Sequence, residues 1–346
     1  MYKVFTILSL LLIFNLSSPY LNSQAETTKG IYLTANSIST EAKFNHFVNL
    51  IMRTGLNTVV IDVKNDEGMV TYDSNLPFVN QVQSDKGSPI KNLPSIIQKL
   101  KDKNIYTIAR IVVFKDPYLA KNKPEWAIKR KNQTLWKDAK GIMWIDPYRK
   151  EVWDYSISIA REVAQLGFDE IQWDYVRFPD YKNIDNEVSF PYSKERSKEE
   201  AIEGFLKYAY STLKNKNLTI SADVFGLTTT AKDDMGIGQK WERITQHVDV
   251  ISPMMYPSHY ANGAYGIANP ENNPYQLIKE GLKDAIEKNN NVKSKGKPAA
   301  KIRPWYQDFD KKIPYDLTQV QEQINAGKEL GIGDYLLWNA RNEYSF

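Results

Sequence analysis

Eight short runs rich in β-branched and apolar residues recur along this chain, near residues 30–37, 58–65, 105–114, 168–178, 218–225, 248–256, 300–308 and 333–340. Stretches with helical periodicity separate them, near 40–54, 93–103, 149–166, 195–215, 237–246, 274–288 and 317–330. Strands that alternate with helices pair in parallel, because each crossover returns the chain to the same end of the sheet. Eight such units predict a closed (β/α)8 barrel, the TIM barrel of the α/β class. An open doubly wound sheet is the competing solution, but it carries a Gly-rich first turn, and no GxGxxG occurs here. A single barrel domain is therefore expected over residues 26–346, with 289–297 as a polar surface loop and 193–200 as a solvated helix start.

Three helix-to-strand turns share one form: Thr54-Gly55-Leu56, Leu166-Gly167-Phe168 and Leu330-Gly331-Ile332. Glycine followed by an apolar residue just past a helix is the pattern of a left-handed cap. These connections are short. The strand-to-helix connections are long, notably 66–92, 115–148, 179–194, 226–236 and 257–273. In a parallel barrel they all lie at the carboxyl end of the strands, where such folds build their sites.

Composition narrows the chemistry. There is no cysteine, which excludes disulfides, thiolate nucleophiles and Cys-ligated metals. His46, His247 and His259 are the only histidines, too few for a histidine-built zinc or iron centre. The formal charge of +4 is spread without a long basic run, which argues against a nucleic-acid partner. Eight Trp and 21 Tyr suit stacking on sugar rings, although most of these rings are expected in the core. At the amino terminus Lys3 precedes an apolar run from Val4 to Leu16, then Ser17-Ser18-Pro19. This reads as a secretory signal peptide over residues 1–25, too short for a membrane span. The expected product is exported, whether secreted, periplasmic or cell-surface, with no span after cleavage. The sequence leaves its oligomeric state open.

Period-two alternation selects inward-facing polar groups as the candidate catalytic and substrate-binding residues. On the second strand Asp62 and Lys64 alternate with Val59, Ile61 and Val63. On the third, Arg110 shares a face with Ile108 and Val112. On the fourth, Gln172 and Asp174 oppose Ile171, Trp173 and Tyr175. On the fifth, Asp223 opposes Ile220, Ala222 and Val224. Glycoside hydrolysis needs one ionised and one protonated carboxyl. Asp174 and Asp223 sit on neighbouring strands about 5 Å apart, within reach of a retaining geometry. Asp174 is the candidate nucleophile or charge stabiliser and Asp223 the candidate acid/base, with Asp62 its competitor. The alternative for each is a salt bridge, Asp174 with Arg177 or Arg110, and Asp62 with Lys64. Tyr256 ends the sixth strand. Trp305 and Gln307 on the seventh and Trp338 and Asn339 on the eighth suggest a sugar-stacking floor with amide donors. Trp126, Trp136 and Trp144 fall in the long third loop.

The segment Asp174-Tyr175-Val176-Arg177-Phe178-Pro179 resembles the "FDYIRFP"-like signature of a bacterial family of glycoside-hydrolase-like TIM barrels, first catalogued as a domain of unknown function. Lys29-Gly30-Ile31-Tyr32-Leu33-Thr34, Val60-Ile61-Asp62-Val63-Lys64, Ala109-Arg110-Ile111-Val112-Val113-Phe114, Met143-Trp144-Ile145-Asp146-Pro147 and Pro304-Trp305-Tyr306-Gln307-Asp308 fit the same pattern. The resemblance extends over about residues 29–346 and implies a barrel acting on carbohydrate. Chitinase-like barrels carry a fourth-strand catalytic Glu where this chain has Val176, and an acid where it has Gln172, which argues against their mechanism. An amylase-like layout, with a fourth-strand Asp and a fifth-strand acid, is closer.

The expectation is an exported glycoside hydrolase cleaving a polysaccharide with two carboxylates and no cofactor or metal. A non-catalytic glycan-binding barrel is the alternative. A carboxylate-metal enzyme using Asp62, Asp66 and Asp174 is the third reading.

Overall fold

The computed structural model describes residues 27–346 apart from Asn183 and Lys216. The expected signal peptide, residues 1–25, lies outside the described residues. Eight parallel strands close into a ring: β1 Lys29–Leu33, β2 Thr58–Lys64, β3 Tyr106–Val112, β4 Glu170–Asp174, β5 Thr219–Phe225, β6 Val250–Met255, β7 in two pieces, Lys301–Ile302 and Trp305–Gln307, and β8 Tyr335–Trp338. Each pairs with the next, and β8 pairs back onto β1 from Lys29↔Tyr335 to Ile31↔Leu337. The main intervening helices are α1 Glu41–Thr54, α2 Leu93–Lys101, α3 Lys150–Gln165, α4 Lys198–Leu213, α5 Trp241–Ile244, α6 Pro274–Ser294 and α7 Leu317–Glu329. This is the barrel that the repeating pattern predicts. No helix among the described residues is long and apolar enough to cross a membrane.

Local chemistry sets the boundaries. The Thr40 side chain caps α1 by accepting from the Lys43 amide, and Gly55 closes the helix at φ 72°. Ser197 and Glu200 form a reciprocal capping box at the start of α4. Gly167 and Gly331 also take positive φ, as the turn pattern predicts. β2 is buried along its whole length, since helices cover one face and the barrel interior the other.

Strand parity divides the core into two layers. Val59, Ile61, Val63, Ile171, Trp173, Ile220, Ala222 and Val224 pack outward against the helices. Tyr32, Val60, Ile108, Tyr256, Trp305 and Leu336 form the interior cluster. Toward the amino end of the strands the interior holds an ion pair. Arg303 donates to both Glu170 oxygens, once at 3.0 Å, and Ser221 donates to the same carboxylate. Neither residue was singled out from the sequence, because a charge on a strand start carries no local mark of its partner.

Two expectations need correction. Residues 289–297 are not a surface loop, since α6 runs through Ser294. Buried Asn289 accepts from Trp241 Nε1 at 3.0 Å and Thr245 Oγ1 at 2.9 Å, and donates to the Ala300 carbonyl at 2.8 Å. A polar side chain enters the core there because three buried groups need it. The fourth-strand alternation also stops early. β4 ends at Asp174, Tyr175 adopts φ 48°, and Val176 packs in the outer core instead of facing the interior.

Candidate active site

Asp174 closes β4, and Asp223 lies near the carboxyl end of β5. The last registered pair between the two strands is Trp173↔Ala222, so each Asp follows that pair by one residue on the same, inward side. Both line one cavity of about 500 Å³ at the carboxyl end of the barrel, together with Tyr256, Trp305 and Arg177.

The two carboxyls occupy contrasting environments. Asp174 Oδ2 accepts from Arg110 Nε at 2.9 Å and Nη2 at 2.5 Å, and its Oδ1 accepts from the Tyr175 amide at 2.5 Å. Every one of these partners is a donor, the set an ionised carboxylate requires. Arg110 Nη1 also donates to Asp62 Oδ1 at 2.5 Å, so its guanidinium clamps Asp62 and Asp174 together. The two carboxylates hold Arg110 above its usual range despite its burial. Asp223 has no cation at ion-pair distance among the described residues. Its Oδ1 accepts from Trp305 Nε1 at 2.7 Å. Burial first, then the charge of Asp174, pushes the Asp223 carboxyl well above the ordinary range, and the Trp305 bond, Arg110 and Arg303 offset this only in part. Contrasting environments of this kind are what allow two carboxyls to divide acid and base roles.

Residues 30–344 match the family described as "Putative glycosyl hydrolase domain". The chain belongs to this glycosyl hydrolase family. A hypothetical protein from Ruminiclostridium thermocellum ATCC 27405 is 37% identical, with 60% of this chain and 98% of that one covered and a TM-score of 0.51. The PgaB (BpsB) glycoside hydrolase domain from Bordetella bronchiseptica is 12% identical, with 91% and 94% covered and a TM-score of 0.62. The endo-1,4-β-D-mannanase of Thermotoga petrophila RKU-1 is also 12% identical, with 93% and 94% covered and a TM-score of 0.61. At that identity the last two show a shared barrel fold. No match is found among curated proteins. Through its family the chain is a glycosidase, and its substrate is a carbohydrate.

In this glycosyl hydrolase Asp62 faces a different space from Asp223. It lines a second cavity of about 540 Å³ on the far side of Arg110. Tyr32 donates to Asp62 Oδ2 at 2.5 Å, and burial raises the Asp62 carboxyl against the opposing pull of Arg110 and Tyr32. Arg110, Tyr175 and Trp338 line both cavities and form the ridge between them. Trp338 stacks on Tyr32 at 4.1 Å and meets Trp305 edge-on at 5.6 Å. Tyr256 lies beside the two carboxyls. Burial, then the charges of Asp223 and Asp174, hold its phenol far above the usual range, so it remains a neutral hydroxyl. Half-exposed Leu227 adds an apolar rim to the first cavity.

Four of the expected substrate-binding residues line neither cavity. The register shift between Asp62 and Lys64 takes Lys64 out of the inward set. Its ammonium pairs with Asp116 at 2.7 Å and donates to the Val112 carbonyl at 2.7 Å, so the expected Asp62–Lys64 bridge is replaced by Asp62–Arg110. Gln172 is sealed inside the barrel one inward position below Asp174, and its amide atoms have no partner among the described residues. Gln307 accepts from the Ser258 amide at 3.0 Å and donates to the Phe309 carbonyl at 2.9 Å. Asn339 donates to the Asp308 carbonyl at 2.5 Å and accepts from the Arg341 amide at 2.9 Å. The floor is therefore aromatic without those amides, whose hydrogen bonds shape the loops. Trp136 and Trp144 are buried loop anchors, not exposed rings.

Lys64→Met is expected to lower unfolding free energy by about 3–5 kcal/mol, because Asp116 is left buried without its cation. Urea denaturation checks this. KM should be unchanged in the folded variant, and a raised KM would return Lys64 to the site.

The metal reading finds no support in the geometry. Arg110 supplies the positive charge between Asp62 and Asp174, and Asp66 pairs with Lys115 at 2.6 Å. Among the described residues no group of three or more acids or histidines is placed to hold a metal ion. Tyr32 and Tyr175 are the functional candidates that parity reasoning missed. Tyr32 shares the inward parity of Gly30, a legible signal. Tyr175 faces the site through its positive φ, which no pattern announces.

Proposed function

We propose that this glycosidase is an exported enzyme that cleaves a polysaccharide by double displacement, with Asp174 as nucleophile and Asp223 as acid/base. One observation carries the reading. Asp174, gripped only by donors, shares a cavity with Asp223, whose burial favours the protonated form. In the first step an Asp174 oxygen bonds to the anomeric carbon as the glycosidic C–O bond breaks, and the Asp223 proton passes to the leaving oxygen. In the second, Asp223 takes a proton from water, whose oxygen bonds to the anomeric carbon and releases Asp174. Tyr256 donates to the sugar as a neutral hydroxyl, while Trp305 and Trp338 supply aromatic contact surface. Two cavities joined across one ridge suit an extended chain more than a single sugar. Export rests on the apolar run in residues 1–25.

Reducing-end release from a panel of bacterial and plant polysaccharides tests the reading. Release by the wild type that is absent from Asp174→Asn supports it. Binding of a glycan by both proteins without release by either would replace it with the glycan-binding barrel.

A further inference from the structure

Arg177 is a buried cation that pairs with no anion among the described residues. The residue is 8% exposed. Three aromatic rings surround the guanidinium, with Cζ 4.5 Å from the Phe225 centroid and 5.0 Å from those of Trp144 and Tyr175. Its one hydrogen bond to protein among the described residues runs from Nη1 to the Phe178 carbonyl at 2.9 Å. The other buried arginines are paired: Arg110 with Asp62 and Asp174, Arg303 with Glu170, and Arg149 with Glu151. Burial draws the affinity of Arg177 for the proton down, and Tyr175, Asp174, Asp180 and Asp138 act against this through space, but among the described residues no carboxylate stands at ion-pair distance. A guanidinium keeps its charge even so.

A buried charge costs stability unless something satisfies it. Cation–π contacts satisfy the faces of the guanidinium but leave its in-plane N–H groups open. Arg177 lines the cavity that holds Asp174 and Asp223, and Lys140 and Asp180, of opposite charge, line it as well. The left-handed turn at Tyr175 brings Arg177 there, three residues after Asp174 on the same chain segment.

We propose that Arg177 receives an anionic substituent, a carboxylate or sulfate, on a sugar unit bound beside the scissile bond. The inference rests on the glycosidase reading and narrows its substrate to acidic glycans. Arginine is suited to the role because its planar fork takes two oxygens of one anion.

The test uses affinity electrophoresis and reducing-end release with the wild type, Arg177→Met and Arg177→Lys. Unsulfated chondroitin and pectin supply carboxylates, and their carboxyl-reduced forms are the neutral controls. Carrageenan supplies sulfate without carboxylate, and mannan and β-glucan are uncharged. The expected result is preference for an acidic glycan over its neutral form. Arg177→Met should lower affinity for that glycan about 10- to 100-fold, with Arg177→Lys intermediate. Whichever of the chondroitin–pectin and carrageenan arms responds identifies the anion. Cleavage of mannan or β-glucan that Asp174→Asn abolishes and Arg177→Met leaves unchanged would overturn this inference while leaving the glycosidase reading intact. No binding or release with any of the glycans would count against both. Arg177→Lys retains the cation, so it reports on the site even where Arg177→Met folds poorly.

Discussion

Asp174→Asn is expected to fold normally and to lose at least about a thousandfold in hydrolytic rate. The two halves of this expectation have separate causes. Asn matches the shape of Asp, and its carbonyl oxygen can still accept from Arg110. Arg110 also keeps Asp62, at 2.5 Å, as its counter-charge. The guanidinium is therefore not stranded, and the melting temperature should fall only modestly, through loss of the acceptor for the Tyr175 amide. The amide cannot attack an anomeric carbon, so the loss falls on the chemical step. Asp62→Asn is the matched control, since it leaves the Arg110–Asp174 pair in place. It should cost far less activity, because Asp62 opens onto the other cavity. If the two variants lost activity equally, Arg110 and its partners would be scaffolding, and Asp174 would have no special claim to the nucleophile role.

Asp223→Asn should lower the rate on natural glycans by about 10²- to 10⁴-fold and remove the alkaline limb of the pH profile. In the wild type kcat/KM should fall as pH rises through the native Asp223 value, because the proposed general acid loses its proton. That value lies well above the ordinary carboxylate range, owing to burial and the charge of Asp174. The loss should shrink on aryl glycosides with acidic leaving groups, which depart without a proton. Stability should move the opposite way from activity. With its pKa raised on folding, Asp223 makes the native state bind more protons than the unfolded one once pH exceeds the unfolded value of about 3.9. The slope of unfolding free energy against pH is then negative, and stability falls until the native carboxyl has titrated. Asn removes that term, so the variant should melt higher than the wild type at neutral pH and nearly equal to it at acid pH. Thermal melts across the acid-to-alkaline range check this. An unchanged alkaline limb with no gain in stability would exclude Asp223 as the acid.

The contrast between Asp174 and Asp223 is how one fold can supply both proposed roles. Each is an aspartate at the end of a strand, and their local sequences do not distinguish them. Arg110 reaches Asp174 from β3, and Trp305 reaches Asp223 from β7. The same logic separates Arg177 from Arg110 and Arg303. All three are buried, but among the described residues only the latter two meet a carboxylate.

The eight strands, the main helices between them, the glycine caps and the face to which Asp62, Arg110, Asp174 and Asp223 belong were all legible in the sequence. These depend on periods of two and 3.6 and on local caps, which neighbouring residues determine. Lys64, Gln307 and Asn339 were misread because their partners, Asp116, Ser258 and Asp308, come together only through the register of the strands and the packing of the loops. The turn at Tyr175 that aims Arg177 belongs with them. A strand pattern states which side a residue faces. It does not state what stands opposite, and burial, charge and proton affinity all depend on that opposite neighbour. The sequence by itself thus determined the barrel and its inward carboxylates, and the tertiary structure alone decided which carboxylate is clamped, which is shielded and which buried cation lacks a carboxylate partner among the described residues.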